Sequence, residues 1–179
     1  MFGLYESVKD MKAIKVNVLD PASIDAAVKA LEDYKKKLDQ LPDKVAQRAQ
    51  KEGLERMISG LPPISDQNEP ALYGTGQYGN VYTIEAGGCL PYVEFGTGVV
   101  GQGGGYPEPM YLTNVGWQYA SGPHVFTTKK GRKGWFWFSN ARGHFLFTEG
   151  IAPGGFMAST IRYLRDRIPE IAREELNSG

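Results

Sequence analysis

Glycines are the residues in this 179-residue chain that first invite a chemical reading. Gly96-Thr97-Gly98-Val99-Val100-Gly101 matches the G-x-G-x-x-G fingerprint of dinucleotide binding, and the stretch from Gly74 to Gly79, GTGQYG, matches it again. In a nucleotide site such glycines close a strand and open a helix, whose first amides and dipole hold the pyrophosphate. Neither stretch has that setting. QGGGYPEPM follows Gly101, with three more glycines and two prolines, and cannot begin a helix. NVYTIEA follows Gly79 and reads as a strand. Among 23 glycines, chance matches to so short a pattern are expected, and no cofactor is. The 96–105 run reads instead as a loop whose backbone adopts positive φ and which a neighbouring subunit would order.

Groups for acid–base, nucleophilic or metal chemistry are sparse. Between 61 and 150 the carboxylates are Asp66, Glu69, Glu85, Glu94, Glu108 and Glu149, and the chain's two histidines are His124 and His144. Two histidines 20 residues apart without a carboxylate pair make a poor metal signature. His144, within GHFLFT, suits a strand histidine satisfied by a nearby carbonyl. Cys89 has no second cysteine to pair with and, within GGCLPY, no basic neighbour to activate it, which predicts a buried or incidental thiol and not a nucleophile. Nucleophile-elbow, P-loop and HExxH patterns are absent, so no enzyme is expected. Glu94, between Val93 and Phe95, would point opposite to them on an alternating strand. The expectation is a structural pairing with a Lys or Arg of another element or subunit.

These residues sit on elements that the periodicity outlines. Ile14, Val16 and Val18 alternate as a short N-terminal strand. Asp20-Pro21 opens a helix, and Ile24, Val28, Leu31, Tyr34, Leu38 and Leu41 recur every three or four positions, with Lys35–Lys37 toward solvent. Pro42 interrupts the pattern before Val45, Ala49, Leu54 and Ile58 resume it, which predicts two helices or one kinked helix over 21–60. Residues 61–79 read as a polar connector. Over 80–148, NVYTIEA, LPYVEFG, VGWQYA, HVFTTK, GWFWFS and HFLFT read as strands of an antiparallel sheet. Lys129, Lys130, Arg132 and Lys133 around Gly131 predict a hairpin with a cationic tip, suited to blunting an edge or meeting phosphates or an acidic protein. Trp135 and Trp137 alternate with Phe136 and Phe138, an apolar strand on both faces, sandwiched by its own helices or by a partner. A helical period returns over 153–176 through Met157, Ile161, Leu164, Ile168, Ile171 and Leu176, with Arg162, Arg165 and Arg167 off the stripe and Pro169 bending it. The whole is one α+β domain: N-terminal strand and long kinked helix, central twisted antiparallel sheet, and C-terminal helix packed on it.

Bulk properties agree with a single globular domain. Twenty basic residues balance 20 acidic ones, and the middle, 61–150, holds only five and six of them. Nothing global points to nucleic acid or membrane. The start lacks a signal-peptide pattern and no apolar run reaches the roughly 18 residues of a membrane helix, so a soluble product made in a cytoplasm is expected.

YVEFGTGVVG, the Gly-Trp pairs of VGWQYA and GWFWFS, and TEGIAPGGFMASTIRYLRDRIPEIAREEL resemble a family of tailed-bacteriophage virion proteins. These are the minor head–tail joining, or neck, proteins, often labelled tail components. The resemblance covers nearly the whole chain and is carried most closely by Glu94–Gly98 and by Thr148-Glu149-Gly150, Pro153, Phe156 and Met157. PGGFM departs from the family's usual bulky residue before Phe, and the basic hairpin is not a family feature. The resemblance implies a non-catalytic part of the neck or head–tail connector of the virion, made in the host bacterium. It implies a homo-oligomeric ring of about six or twelve copies, closed by heterologous contacts. Its neighbours would be head-closure or portal-adaptor proteins and tail-terminator or tail-tube proteins, with DNA passing near and no membrane. Glu94, Thr97, Gly98, Tyr106, Lys129, Lys130, Arg132 and Lys133 are the expected interface residues, with 99–105 as an intersubunit clasp. A tail-terminator ring is the nearest alternative. A glycan- or ligand-binding β module using Trp117, Trp135 and Trp137 as stacking platforms is another.

Overall fold

The computed structural model describes residues 17–63, 70–98, 106–107, 109–119 and 125–178. It is α+β, in the order α1 (Pro21–Ser59), β1 (Ala71–Tyr78), β2 (Val81–Gly88), α2 (Leu90–Phe95), α3 (Pro109–Asn114), β3 (Phe126–Thr127), β4 (Lys133–Ser139), β5 (His144–Thr148) and α4 (Phe156–Asn177). Ile14 and Val16 of the expected first strand, the 99–105 clasp, His124 and Glu108 lie outside the described residues. Val18 is exposed and not in a strand.

α1 is one 39-residue helix, about 58 Å long. The Asp20 side chain accepts a hydrogen bond from the Ala22 amide, and Pro21 stands where a missing N–H costs nothing. Pro42 lies within the helix without ending it. The two halves of α1 have different surroundings. From Pro21 to Gln40 only Ala27 is buried, whereas Ala49, Gly53 and Met57 are buried farther on. That second half is clamped between α4 and the β1–β2 hairpin. A side chain at Gly53 would collide with Ile84 of β2 and Leu164 of α4, so glycine marks the place where the three elements come closest.

The expected single sheet divides into two: a β1–β2 hairpin and a β3–β4–β5 sheet, both antiparallel. Residues 71–78, assigned to the connector, form β1. Its glycines weaken a strand signal, but Tyr78 pairs with Val81 across the two-residue Gly79-Asn80 turn, with Gly79 at φ 63°. Gln50 of α1 reinforces the hairpin by donating to the carbonyls of Gly76 and Thr83, at 2.7 and 2.8 Å. LPYVEFG is the largest correction: Leu90–Phe95 is a helix. Pro91 accounts for it, since its ring lacks the donor that a central strand needs and suits a first helical turn. VGWQYA likewise forms no strand over 115–119, and HVFTTK contributes only Phe126–Thr127.

α4 runs antiparallel to α1, with Arg48 opposite Glu174 and Glu175 and Arg56 beside Ser159. Pro169 sits inside it without ending it. Met57, Leu90, Val93 and Phe156 form the core where α1, α2 and α4 meet, backed by Leu54, Ile84 and Met157.

Candidate functional site

The residues of EFGTG converge on the start of α4. Glu94, 3% exposed, accepts hydrogen bonds from the amides of Met157 at 2.8 Å and Ala158 at 3.0 Å, and from the Tyr106 hydroxyl. The N-cap residue of α4 is Gly155, left-handed at φ 60° and without a capping side chain. Glu94 supplies from 63 residues away what Ser or Asp would supply locally: an acceptor, and a negative charge at the positive end of the helix dipole. The pairing differs from the expected one. Among the described residues Glu94 is spent on amides and a phenol, not on a Lys or Arg, and it belongs to a helix.

The glycines serve the same junction. Gly96 and Gly98 have φ of 78° and 62°, and neither has room for a side chain. A Cβ at Gly96 would meet the Pro153 nitrogen at 2.7 Å and the Ile151 oxygen at 2.8 Å, and one at Gly98 would overlap the Trp135 ring. Between them Thr97 pairs with Ile151 twice, its amide donating to the Ile151 carbonyl at 2.9 Å and its hydroxyl accepting from the Ile151 amide at 3.2 Å. Gly154 and Gly155 donate back to the carbonyls of Val93 and Glu94. EFGTG and TEGIAPGGFM thus form one interlock. Its Gly-x-Gly lets two backbones and an indole approach, and helix α2 precedes it.

Aromatic rings close the other side. Phe95 packs edge-on to Tyr106 and against Trp117, whose indole N–H donates to the Gly96 carbonyl at 3.2 Å. The Tyr119 hydroxyl donates to the Phe95 carbonyl, and burial raises its pKa. Beside them an apolar groove of about 430 Å³ runs between Ile84, Leu90, Phe95, Met157 and Ile161. Trp117, Trp135 and Trp137 are all partly buried, a poor arrangement for exposed stacking platforms.

The cationic hairpin forms a separate surface. Lys129 and Lys130 stand exposed at the turn, with Gly131 at φ 78° and the Thr128 amide donating to the Arg132 carbonyl. Arg132 turns back from the tip: its Nε meets Glu149 at 2.7 Å and its guanidinium lies over Phe147. That bond to Glu149 raises the already high pKa of Arg132. The expected interface residues therefore fall into two groups, Glu94, Thr97, Gly98 and Tyr106 in the interlock and Lys129, Lys130 and Lys133 on the hairpin. His144 donates from Nδ1 to the Arg142 carbonyl, 2.9 Å away, and Cys89 is buried, as read.

Sequence reasoning missed an ion network joining α1 to α4. Arg167, expected off the packed stripe, donates to Glu52 at 2.9 Å and to Glu174 at 2.8 Å, while Arg48 bonds Glu52, Glu174 and Glu175. The Tyr163 hydroxyl completes it on Glu52. Arg167 first and Arg48 second hold the Glu174 carboxyl down at about 2, and Arg167 also lowers that of Glu52 against the opposing effect of burial. The four-residue spacings of 48/52 and 163/167 were the available signal.

Among the described residues no His/Cys/Asp/Glu group could hold a metal, and no helix is long and apolar enough to cross a membrane. Comparison with family models, curated proteins and solved structures returned no match.

Proposed function

We propose that this chain is a structural protein of a tailed-phage virion, acting in the neck ring that joins the capsid portal complex to the tail. The observation that carries the reading is the use of Glu94. The carboxylate at the centre of the most family-like motif is buried as the cap of α4, and its neighbours Gly96, Thr97 and Gly98 are occupied in the same interlock. Such a junction ties α2 to the start of α4, and its carboxylate and threonine hydroxyl are engaged in holding it together. The exposed surfaces are of the docking kind: an apolar stripe on α1, a phenylalanine face on β4–β5, and a lysine turn.

Within this reading the chain works as a homo-oligomer, with head-closure or portal-adaptor proteins on one side and tail proteins on the other. The test is a phage lacking the gene. DNA-filled heads and complete tails that accumulate unjoined, with the chain found by mass spectrometry in wild-type particles, support it. Infectious particles of normal yield without the chain overturn it, and recovery of the chain with free tails alone selects the tail-terminator alternative.

A further inference from the structure

Two exposed apolar surfaces of this chain carry opposite charge along their borders. On the outer half of α1, Ile24, Val28, Leu31 and Leu38 make one stripe, each between 41% and 57% exposed. Their spacing, with Lys35 in the remaining seam position, is the four-three repeat of a helix that packs lengthwise on something. Asp25, Glu32 and Asp39 each follow a stripe residue directly, so one border is a row of carboxylates seven residues apart.

The second surface lies on the three-stranded sheet. The register puts Phe136 opposite Phe147 and Phe138 opposite Phe145, with Phe126 opposite Gly134 on the same face. Phe126, Phe136 and Phe145 are 53%, 54% and 66% exposed, while Trp135 and Trp137 take the other, partly buried face. The segment 125–148 that builds this surface has Lys129, Lys130, Arg132, Lys133 and Arg142 and no carboxylate, and of these Arg132 is paired with Glu149 just beyond it. The lengths match: the stripe from Ile24 to Leu38 runs about 21 Å, and β4 about 20 Å.

Each surface repels its own copy. Two α1 stripes packed antiparallel would bring the carboxylate rows face to face, and packed parallel would set Lys35 against Lys35. Two phenylalanine faces would bring two sets of cations together. Stripe against sheet sets the carboxylate border toward the cations, while the Lys35 stem lies along the seam with its ammonium reaching out to solvent. We propose that the outer half of α1 of one copy lies across the phenylalanine face of the next copy, with Asp25, Glu32 and Asp39 toward the lysines of its hairpin. The contact is heterologous, so it propagates and closes into a ring where its rotation permits. It rests on the neck reading only for its biological setting, and it names the two surfaces that meet.

The test uses the full chain in sedimentation velocity. Wild type self-associates, less strongly as salt rises. Leu31→Glu and Phe136→Glu each sediment as the 19.7 kDa monomer, because each lacks one of the two surfaces. Mixed in equal amounts they form a one-to-one dimer that goes no further, since each variant keeps the surface that the other lost. Unchanged circular dichroism confirms that both fold. A charge exchange provides a second route: Lys129→Glu with Lys130→Glu abolishes association, and Glu32→Lys with Asp39→Lys in the partner restores it. A monomeric wild type, self-association by either single variant, or a mixture that stays monomeric overturns the pairing. A wild type that associates together with both single variants leaves the ring reading standing and removes this interface alone; absence from virions removes the ring reading.

Discussion

The Glu94 carboxylate lies 2.8 Å from the Met157 amide, so a side chain from helix α2 caps a helix that begins 62 residues later in sequence. Two amides and a phenol share a carboxylate that is otherwise out of water. Replacing Glu94 by Ala removes the acceptor of the Met157 and Ala158 amides and should cost about 2–3 kcal/mol. Tyr106→Phe, which removes one of the three donors, should cost about 1 kcal/mol. Urea denaturation measures both, and a Glu94→Ala loss below that of Tyr106→Phe contradicts the capping role.

Gly98 and Gly131 both have positive φ but differ in their surroundings. A methyl at Gly98 enters the Trp135 ring, whereas one at Gly131 meets nothing within 4 Å. Gly98→Ala should therefore cost about 3 kcal/mol or more, and Gly131→Ala only the 1–2 kcal/mol or so of the backbone conformation. Equal losses in thermal or urea unfolding would show that conformation, not crowding, sets the need for glycine in EFGTG.

Acid should loosen the α1–α4 seam. Arg167 and Arg48 depress the Glu174 carboxyl from 4.5 to about 2, and Glu52 shifts the same way. A depressed carboxylate stabilises the fold fully above its unfolded pKa and ceases to do so as pH falls through the folded one. The melting temperature should decline between about pH 4.5 and pH 2, and Arg167→Met should start lower at pH 7 and decline less over that window. Parallel melting curves for the two proteins would remove the network from the account.

Cys89 is 2% exposed at the start of α2. Its thiol should react with an aromatic disulfide reagent only as fast as the junction opens, and Glu94→Ala should speed that reaction by roughly tenfold or more, following the loss of cap energy. Rapid labelling of the folded wild type would contradict the burial.

Lys129 and Lys130 are exposed at the hairpin turn. Lys129→Glu with Lys130→Glu should leave unfolding free energy within about 0.5 kcal/mol and, on the neck reading proposed above, reduce the joining of heads to tails in infected cells. A full yield of joined particles would exclude the turn from that docking role.

The parts of this architecture that follow one local rule were legible in the sequence. Asp20-Pro21 announced α1, the KKGRK hairpin and GWFWFS were placed correctly, and the return of helical period after Pro153 marked α4. The misses share a cause. Tyr92, Val93 and Phe95 have strong strand preferences, yet Pro91 and the burial of Leu90 and Val93 against Met57 and Phe156 put them in a helix. The Gly79-Asn80 turn was a hairpin signal obscured by the glycines on its N-terminal side. Glu94 stood out as a residue needing a partner, but that partner is a pair of main-chain amides, which no side-chain pattern advertises. Arg167 reads as surface on its own helix and becomes half-buried only when Glu52 is beside it.

Pro42 lacks the N–H that would close a rung onto the Leu38 carbonyl, and it lies between the clamped half of α1 and the outer half. A missing rung is a place where a helix bends more readily, so any change in the aim of the outer half is expected there, away from the ion network and the Glu94 cap. Under the ring reading proposed above, that joint is where identical chains would differ in reach.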